Sequence, residues 1–254
     1  MGYADQVFDL TGKVVVVTGG SRGLGREIAF AVARLGADVV IASRKAGNCE
    51  EVAKQLAAQT GRATMAYGVH VGRWDELEPF VDAVYERFGR VDVLVNNAGM
   101  SPVYDKLTDV TEKLFDSVMN VNFKGPFRLA ALIGERMRAA GGGSIINVSS
   151  AGSIRPRGQI VPYAGAKAAL NAMTEGLAEG LGPAVRVNTL MPGTFMTDIA
   201  KAWDLDAVIQ DRKKATALQR VGMPPEIIGA ALFLASDASS YTSGSIVRVD
   251  GGML

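Results

Sequence analysis

One cysteine, Cys49, and one histidine, His70, stand in a chain of 254 residues. A lone thiol forms no intramolecular disulfide, and with a lone imidazole it leaves no Cys/His set for a zinc ion, so no metal is expected. A dominant charge is missing too: 27 Lys and Arg against 26 Asp and Glu leave a net +1, with the signs interspersed. Such a balance gives no broad field for nucleic acid or an anionic membrane, and the expected partner is a small molecule. No uncharged apolar run approaches the ~18 residues of a membrane span. The first ten residues, MGYADQVFDL, carry neither the basic nor the apolar region of a secretory signal. A soluble, reducing compartment is therefore expected, the cytoplasm by default. No Pro/Ser-rich linker, charge block or internal repeat divides the chain, and residues 1–254 read as one domain. Cys49 itself reads as a half-buried thiol on a helix rather than a nucleophile.

What the chain does have is alternation. Residues 13–18, KVVVVT, form a β-branched run of the kind buried on both faces of a sheet. Gly-rich GGSRGLG follows, then REIAFAVARLG with apolar residues at helical spacing and Gly36 at its end, then the strand DVVIAS. Helical patterns at 50–60, 74–88, 114–122, 127–140, 162–180 and 225–235 then alternate with strands at 63–67, VDVLVN, GSIINVS, AVRVNTL and SIVRVD. About seven strands separated by helices predict an α/β protein. The architecture is a three-layer, Rossmann-type, doubly wound fold on a seven-stranded parallel sheet. Residues 193–223 resist assignment. In an open α/β sheet the ligand lies beyond the carboxyl ends of the strands, so this segment is expected to be a substrate lid.

Gly19, Gly23 and Gly25 occupy the turn between the first strand and first helix. Backbone without Cβ approaches a pyrophosphate closely, and the helix N-terminus offers free N–H groups. The absence of Gly-Lys-Ser/Thr argues against a Walker-type loop. NAD-binding units carry an acidic residue near the end of the second strand, but here the chain reads Ala42-Ser43-Arg44-Lys45. Arg44 and Ser43 suit a 2′-phosphate, and Arg22 approaches from the glycine turn. NADP(H) is the expected cofactor, with NAD(H) the alternative.

Tyr163 and Lys167 lie four apart near the start of a predicted helix, which puts phenol and ammonium on one face. A neighbouring cation stabilises phenolate and brings a group with a pKa near 10 toward neutral proton transfer. Ser149 and Ser150 end the strand GSIINVSS on the ligand side, where a hydroxyl would hold a carbonyl oxygen.

In order along the chain stand TGGSRGLG (18–25), NNAG (96–99), Asn122, Ser150, Tyr163-xxx-Lys167, PGTFMT (192–197) and VDGG (249–252). With the thirteen residues separating Ser150 from Tyr163, this set resembles the short-chain dehydrogenase/reductase family across almost the whole chain. The resemblance implies a catalytic set of Asn122, Ser150, Tyr163 and Lys167. Asn122 would hold a water that links Lys167 to solvent, and Ser150 would orient the carbonyl. Tyr163 would move the proton, while Lys167 lowers its pKa and bonds the nicotinamide ribose. Thr197 and the Pro192-Gly193 backbone would fix the carboxamide, and Asn97 and Gly99 would line the adenosine half. Ser21, Leu24, Val71 and Phe195 would join Gly19, Gly23, Arg22, Ser43 and Arg44 against the cofactor. Where the family often has Asp capping the adenine amino group, this chain has His70. A neutral imidazole would accept that bond through one nitrogen, or only its backbone would matter. That position also argues against a Ser–His–Asp hydrolase.

The resulting expectation is an oxidoreductase exchanging hydride between NADP(H) and a carbonyl or secondary alcohol. Substrates within the family include 3-oxoacyl thioesters and sugars or polyols. The competing classes are a dinucleotide-binding regulator without chemistry and an unrelated α/β nucleotide or methyl-donor binder. The intact catalytic set disfavours the first, and the Tyr–Lys pair is unexplained by the second. The substrate pocket is expected from residues 100–104, 152–160 and 195–203. Arg155 and Arg157 near its mouth attract an anionic substrate or are simply solvated. The resemblance also implies a homotetramer, with the helix from Pro162 and the last strand between subunits.

Overall fold

The computed structural model describes residues 2–197, 210 and 213–253. A short helix α1 (Tyr3–Val7) precedes β1 (Val14–Thr18), α2 (Gly23–Arg34), β2 (Asp38–Ser43), α3 (Ala46–Thr60) and β3 (Thr64–Gly68). Then come α4 (Trp74–Phe88), β4 (Val93–Asn96), α5 (Glu112–Met119), α6 (Gly125–Ala139) and β5 (Gly143–Val148). The described chain closes with α7 (Val161–Leu181), β6 (Val185–Pro192), α8 (Ile228–Ala235) and β7 (Ile246–Val249). The seven strands form one sheet in the order β3-β2-β1-β4-β5-β6-β7, and every pair is parallel. The order reverses between β1 and β4, where an open α/β sheet has its crevice.

The sheet is covered on both faces, and β1 shows why its valines run unbroken. Val15 and Val17 pack with Ile28, Val32 and Leu56 from α2 and α3 and with Leu234 from α8. Val14 and Val16 pack on the other side with Phe80 and Val84 from α4 and Leu129 and Ile133 from α6. A strand buried on both faces leaves no position for a polar side chain, so alternation disappears. Cys49 lies fully buried in the first of these cores rather than half-exposed.

Three boundaries differ from expectation for local reasons. The patterns at 114–122 and 127–140 join through a π-helical turn, Asn120–Lys124. Asn122 Nδ2 donates to the Val118 carbonyl at 2.9 Å, and Pro126 has no N–H to offer the carbonyl of Asn122, so the α ladder shifts there. The expected helix at 225–235 divides into a 3-10 turn, Pro224–Ile227, and α8. The helix α3 begins four residues before the pattern suggested, at Ala46. Of the expected lid, residues 198–209 and 211–212 lie outside the described residues. Its two ends are held to each other: Phe195 bridges Gly222, and Met196 N donates to the Gly222 carbonyl at 2.9 Å. Among the described residues no helix is long and apolar enough to cross a membrane.

Candidate active site

The glycine turn is built against the strand beside it. Thr18 Oγ1 donates to the Val95 carbonyl at 3.2 Å and accepts from Asn97 N and Ala98 N at 3.0 and 3.1 Å. Asn97 returns the contact, its Nδ2 donating to the Thr18 and Gly19 carbonyls at 2.9 and 3.3 Å. Both amide hydrogens of Asn97 are thus engaged in holding the turn. Gly19 has φ +65°, and a Cβ on Gly25 would lie 2.3 Å from Asn97 Nδ2 and 2.5 Å from the Gly19 carbonyl. Gly25→Ala is therefore expected to destabilise the protein by roughly 1–3 kcal/mol, the scale of core overpacking, and to weaken dinucleotide binding. Thermal denaturation with and without dinucleotide checks both.

No side chain caps α2: Arg22 at its N-cap is extended and makes no side-chain bond to the helix. The first N–H groups of a twelve-residue helix are left to an outside acceptor. Among the described residues, a Cβ on Gly23 would meet Thr197 alone, at 3.6 Å. The turn after β1 and the segment after β6 therefore face each other across the crevice, a cradle that fits a dinucleotide pyrophosphate.

Toward β2 and β3, Ser21 Oγ donates to Ser43 Oγ at 3.1 Å, and Ser43 Oγ lies 3.0 Å from Cys49 Sγ. Burial pushes the Cys49 thiol up, which suits a hydrogen-bonding group rather than a nucleophile. Arg22 and Arg44 are exposed. Arg44, His70, Arg73 and Glu76 line a hollow of about 370 Å³ with the backbone of Gly68 and Val69. Glu76 was not singled out from the sequence, yet it organises this corner. Its carboxylate accepts from Arg73 Nη1 at 2.7 Å and from His70 N at 2.9 Å. The same two bonds hold the Glu76 carboxyl below its ordinary range. The three-residue step from Arg73 to Glu76 in HVGRWDE was the available signal.

His70 corrects one expectation. Its Nδ1 accepts from Gly72 N at 3.1 Å, so a neutral ring carries its proton on Nε2 and presents a donor outward. It does not accept an amino group as an Asp would. Val71 buries its side chain in the core and turns its carbonyl to α6, where a Cβ on Gly125 would lie 2.0 Å away.

At the other end of the crevice, β5 delivers two serines with different fates. Ser149 is buried and donates from Oγ to the Lys167 carbonyl at 3.2 Å. Ser150 Oγ accepts from Gly152 N at 3.1 Å and lies beside the Tyr163 ring: a Cβ on Gly152 would meet Ser150 Oγ at 3.3 Å and Tyr163 Cε1 at 3.9 Å. The structure thus brings Ser150, and not Ser149, to the tyrosine. Burial raises the Tyr163 phenol above its ordinary pKa, with the Ser150 hydroxyl pulling the other way. Lys167 is buried, and its Nζ donates to the Val148 carbonyl at 2.7 Å, 5.9 Å from the centroid of the Tyr163 ring. Burial takes the Lys167 ammonium from 10.5 down to about 7. In this arrangement burial is the larger influence on the phenol and the Ser150 hydroxyl the smaller.

The Asn122 side chain is engaged within the protein: Nδ2 donates to the Met100 and Val118 carbonyls at 2.9 Å each and Oδ1 accepts from Met100 N at 3.2 Å. Gly99 lies at the catalytic end rather than beside adenosine: a Cβ there would meet Asn122 Oδ1 at 3.0 Å and Lys167 Nζ at 3.7 Å. Tyr104, expected only as pocket lining, accepts from Val161 N at 2.8 Å and so ties the loop after β4 to the start of α7. Arg155 and Arg157 are exposed.

After β6, Gly193 N donates to the Val249 carbonyl at 2.9 Å, and a Cβ on Gly193 would sit 2.7 Å from Asp250 Cα. The motifs at 192–197 and 249–252 are thus packing partners. Pro192 ends β6, Phe195 is buried, and Leu24 packs against the core below the turn. Among the described residues no group of three His, Cys, Asp or Glu is placed to hold a metal.

Similar proteins bear on this arrangement. The family profile described as enoyl-(acyl carrier protein) reductase matches residues 18–254. The "short chain dehydrogenase/reductase astE" of Aspergillus oryzae is 35% identical over 254 aligned positions, covering 98% of this chain and 97% of that one. The "NAD-dependent glycerol dehydrogenase" of Listeria innocua is 35% identical, covering 98% and 96%. The crystal structure of a gluconate 5-dehydrogenase from Burkholderia cenocepacia, in complex with NADP and tartrate, superimposes with a TM-score of 0.93 at 33% identity and covers 98% of each chain.

Proposed function

We propose that this chain, which belongs to the short-chain dehydrogenase/reductase family, exchanges a hydride between NADP(H) and a carbonyl or secondary-alcohol carbon, with Tyr163 as its acid and base. It is an oxidoreductase that uses a nicotinamide dinucleotide and acts on CH–OH or carbonyl groups. The observation that carries this reading is the convergence of Ser150, Tyr163 and the buried Lys167 amine, 5.9 Å from the Tyr163 ring, at the carboxyl end of β5.

In the reducing direction the Tyr163 hydroxyl gives its proton to the nascent alkoxide, and in oxidation the phenolate takes the alcohol proton. Ser150 hydrogen-bonds the same oxygen, held by its own bond from Gly152 N. Lys167 bonds the nicotinamide ribose and, as an ammonium, favours phenolate. Asn122 acts chiefly through its backbone. Its side chain fixes Met100, and its carbonyl, which Pro126 cannot bond, holds the water that returns a proton toward Lys167. Gly19, Ser21, Gly23 and Leu24 would hold the pyrophosphate. Arg22, Ser43 and Arg44 would take the 2′-phosphate, and the absence of an acidic residue after β2 supports NADP(H) over NAD(H). His70 would donate from Nε2 to a ring nitrogen of the base, beside Val71. Asn97 acts by holding the turn, and Gly99 gives Lys167 room. Pro192, Gly193, Phe195 and Thr197 would fix the carboxamide.

The substrate class follows less directly. The relatives' names, gluconate and glycerol dehydrogenases, support a polyol or sugar substrate, while the family description names an acyl-carrier thioester. A panel of sugars, polyols, 3-oxoacyl thioesters and cyclic ketones, followed by NADPH absorbance in both directions, tests the reading. Turnover with none of them would count against this reading and for a dinucleotide-binding regulator without chemistry. In the same assay Arg44→Ala is expected to weaken NADPH by roughly 1.5–3 kcal/mol, the worth of a charge-assisted bond, and to leave NADH nearly unchanged. Equal losses for both would remove the 2′-phosphate assignment. The described residues belong to a single domain in this reading, and four copies assemble through α7 and β7. Light scattering is expected to give a tetramer, and a monomer independent of concentration would refute it.

A further inference from the structure

The helix α7 carries a polar stripe through an otherwise apolar interface. Tyr163, Lys167 and Asn171 recur every four residues, so they share one face. Asn171 is only 9% exposed, and its Nδ2 donates to Ser153 Oγ at 3.0 Å. Ser153 in turn holds Ser150 twice, donating to the Ser150 carbonyl from Oγ at 2.7 Å and from N at 2.9 Å. A serine hydroxyl has one hydrogen. With the Asn171 amide occupying an acceptor lobe of that hydroxyl, its hydrogen is directed to the Ser150 carbonyl. The chain Asn171–Ser153–Ser150 therefore runs from the helix that carries Tyr163 to the end of β5.

A packing role alone does not account for the amide. Asn171 Oδ1 is buried and has no hydrogen-bond partner among the described residues. An apolar side chain of the same shape would fill the site without that penalty, so the donor is what the position supplies. We propose that Asn171, acting through Ser153, is a positioning residue that keeps the Ser150 hydroxyl in register with the Tyr163 phenol. This inference rests on the reading of Ser150 and Tyr163 as the reacting pair.

The test uses Asn171→Leu and Ser153→Ala in the full chain, with Ser150→Ala and Tyr163→Phe as references. With the best carbonyl of the panel above, each positioning variant is expected to lower kcat about tenfold, on the order of a small misplacement of a reacting group. The double variant is expected to lose no more than the worse single one, since both cut one chain. NADPH affinity should stay the same, and the melting temperature of Asn171→Leu should hold or rise, which a purely structural role would not give. A second readout needs no substrate. Ultraviolet titration of the NADP⁺-bound protein, taken as a difference against Tyr163→Phe, should show the Tyr163 phenol moved upward in both positioning variants. Unchanged kcat and unchanged titration in Ser153→Ala would overturn the inference even if Asn171→Leu failed to fold. If Ser150→Ala and Tyr163→Phe themselves kept full activity, the underlying reading would fall instead.

Discussion

Tyr163→Phe is expected to lower turnover by about 10²–10⁴-fold, the usual worth of a positioned proton donor, and to leave NADPH affinity within about twofold. The substitution removes one oxygen. It deletes the hydroxyl and keeps the ring beside Lys167, so the walls of the crevice are unchanged. Among the described residues at the site no other acid stands ready. Ser150 is an alcohol, Lys167 is turned to the Val148 carbonyl, and Asn122 does not titrate. Burial raises the phenol pKa, which makes Tyr163 a group held protonated, suited to donation when a carbonyl is reduced. Steady-state turnover and a fluorescence titration of NADPH separate the two quantities. Full activity in the variant would end the proposed mechanism.

Lys167→Met is expected to abolish turnover and yet to stabilise the protein free of dinucleotide. The buried ammonium is at a disadvantage in the folded state, since its pKa falls from 10.5 to about 7. Below that value both folded and unfolded chains hold the proton, and the desolvation penalty is fully present. Between about 7 and 10.5 the unfolded chain binds a proton that the folded one has released, so stability rises with pH through this window. Above it the penalty is gone. Methionine has no such charge, and the gain should be about 1–4 kcal/mol near neutrality or below, the range seen when buried ions give way to apolar groups. For a chain of this size that is several degrees in Tm. The gain should shrink toward zero as pH approaches the ordinary lysine value. Melting curves across pH check the sign, and a variant less stable than the parent at pH 6 would contradict it. A residue that lowers stability where it stands is one kept for function.

Both predictions concern the same few ångströms of α7, and they explain why the stripe is polar. The helix packs on β5 and β6 through Lys167, Asn171 and Thr174, which bond Val148, Ser153 and the pair Asn147 and Thr189. The bonds to Val148, Asn147 and Ser153 tie the catalytic helix to the strand end that carries Ser150, and the one to Thr189 ties it to β6. Rigid attachment of donor and orienting hydroxyl to one scaffold is what a near-attack geometry needs.

The sequence by itself determined the parts that depend on spacing along one element. Valine runs marked the strands, because a strand buried on both faces admits little else. Gly19, Gly23 and Gly25 marked the turn, because only residues without Cβ fit it. The four-residue step put Tyr163 and Lys167 on one helical face whatever surrounded them. Tertiary structure decided the rest, in each case through partners distant in the chain. Ser149 and Ser150 are adjacent and chemically alike, and only the approach of α7 turns one to the Lys167 carbonyl and the other to the phenol. The ring tautomer of His70 follows from a backbone N–H two residues on, and the state of Lys167 from how completely β5 and the loop after β4 exclude water. Hydrogen-bond direction and desolvation are properties of a finished enclosure, and no local pattern encodes them.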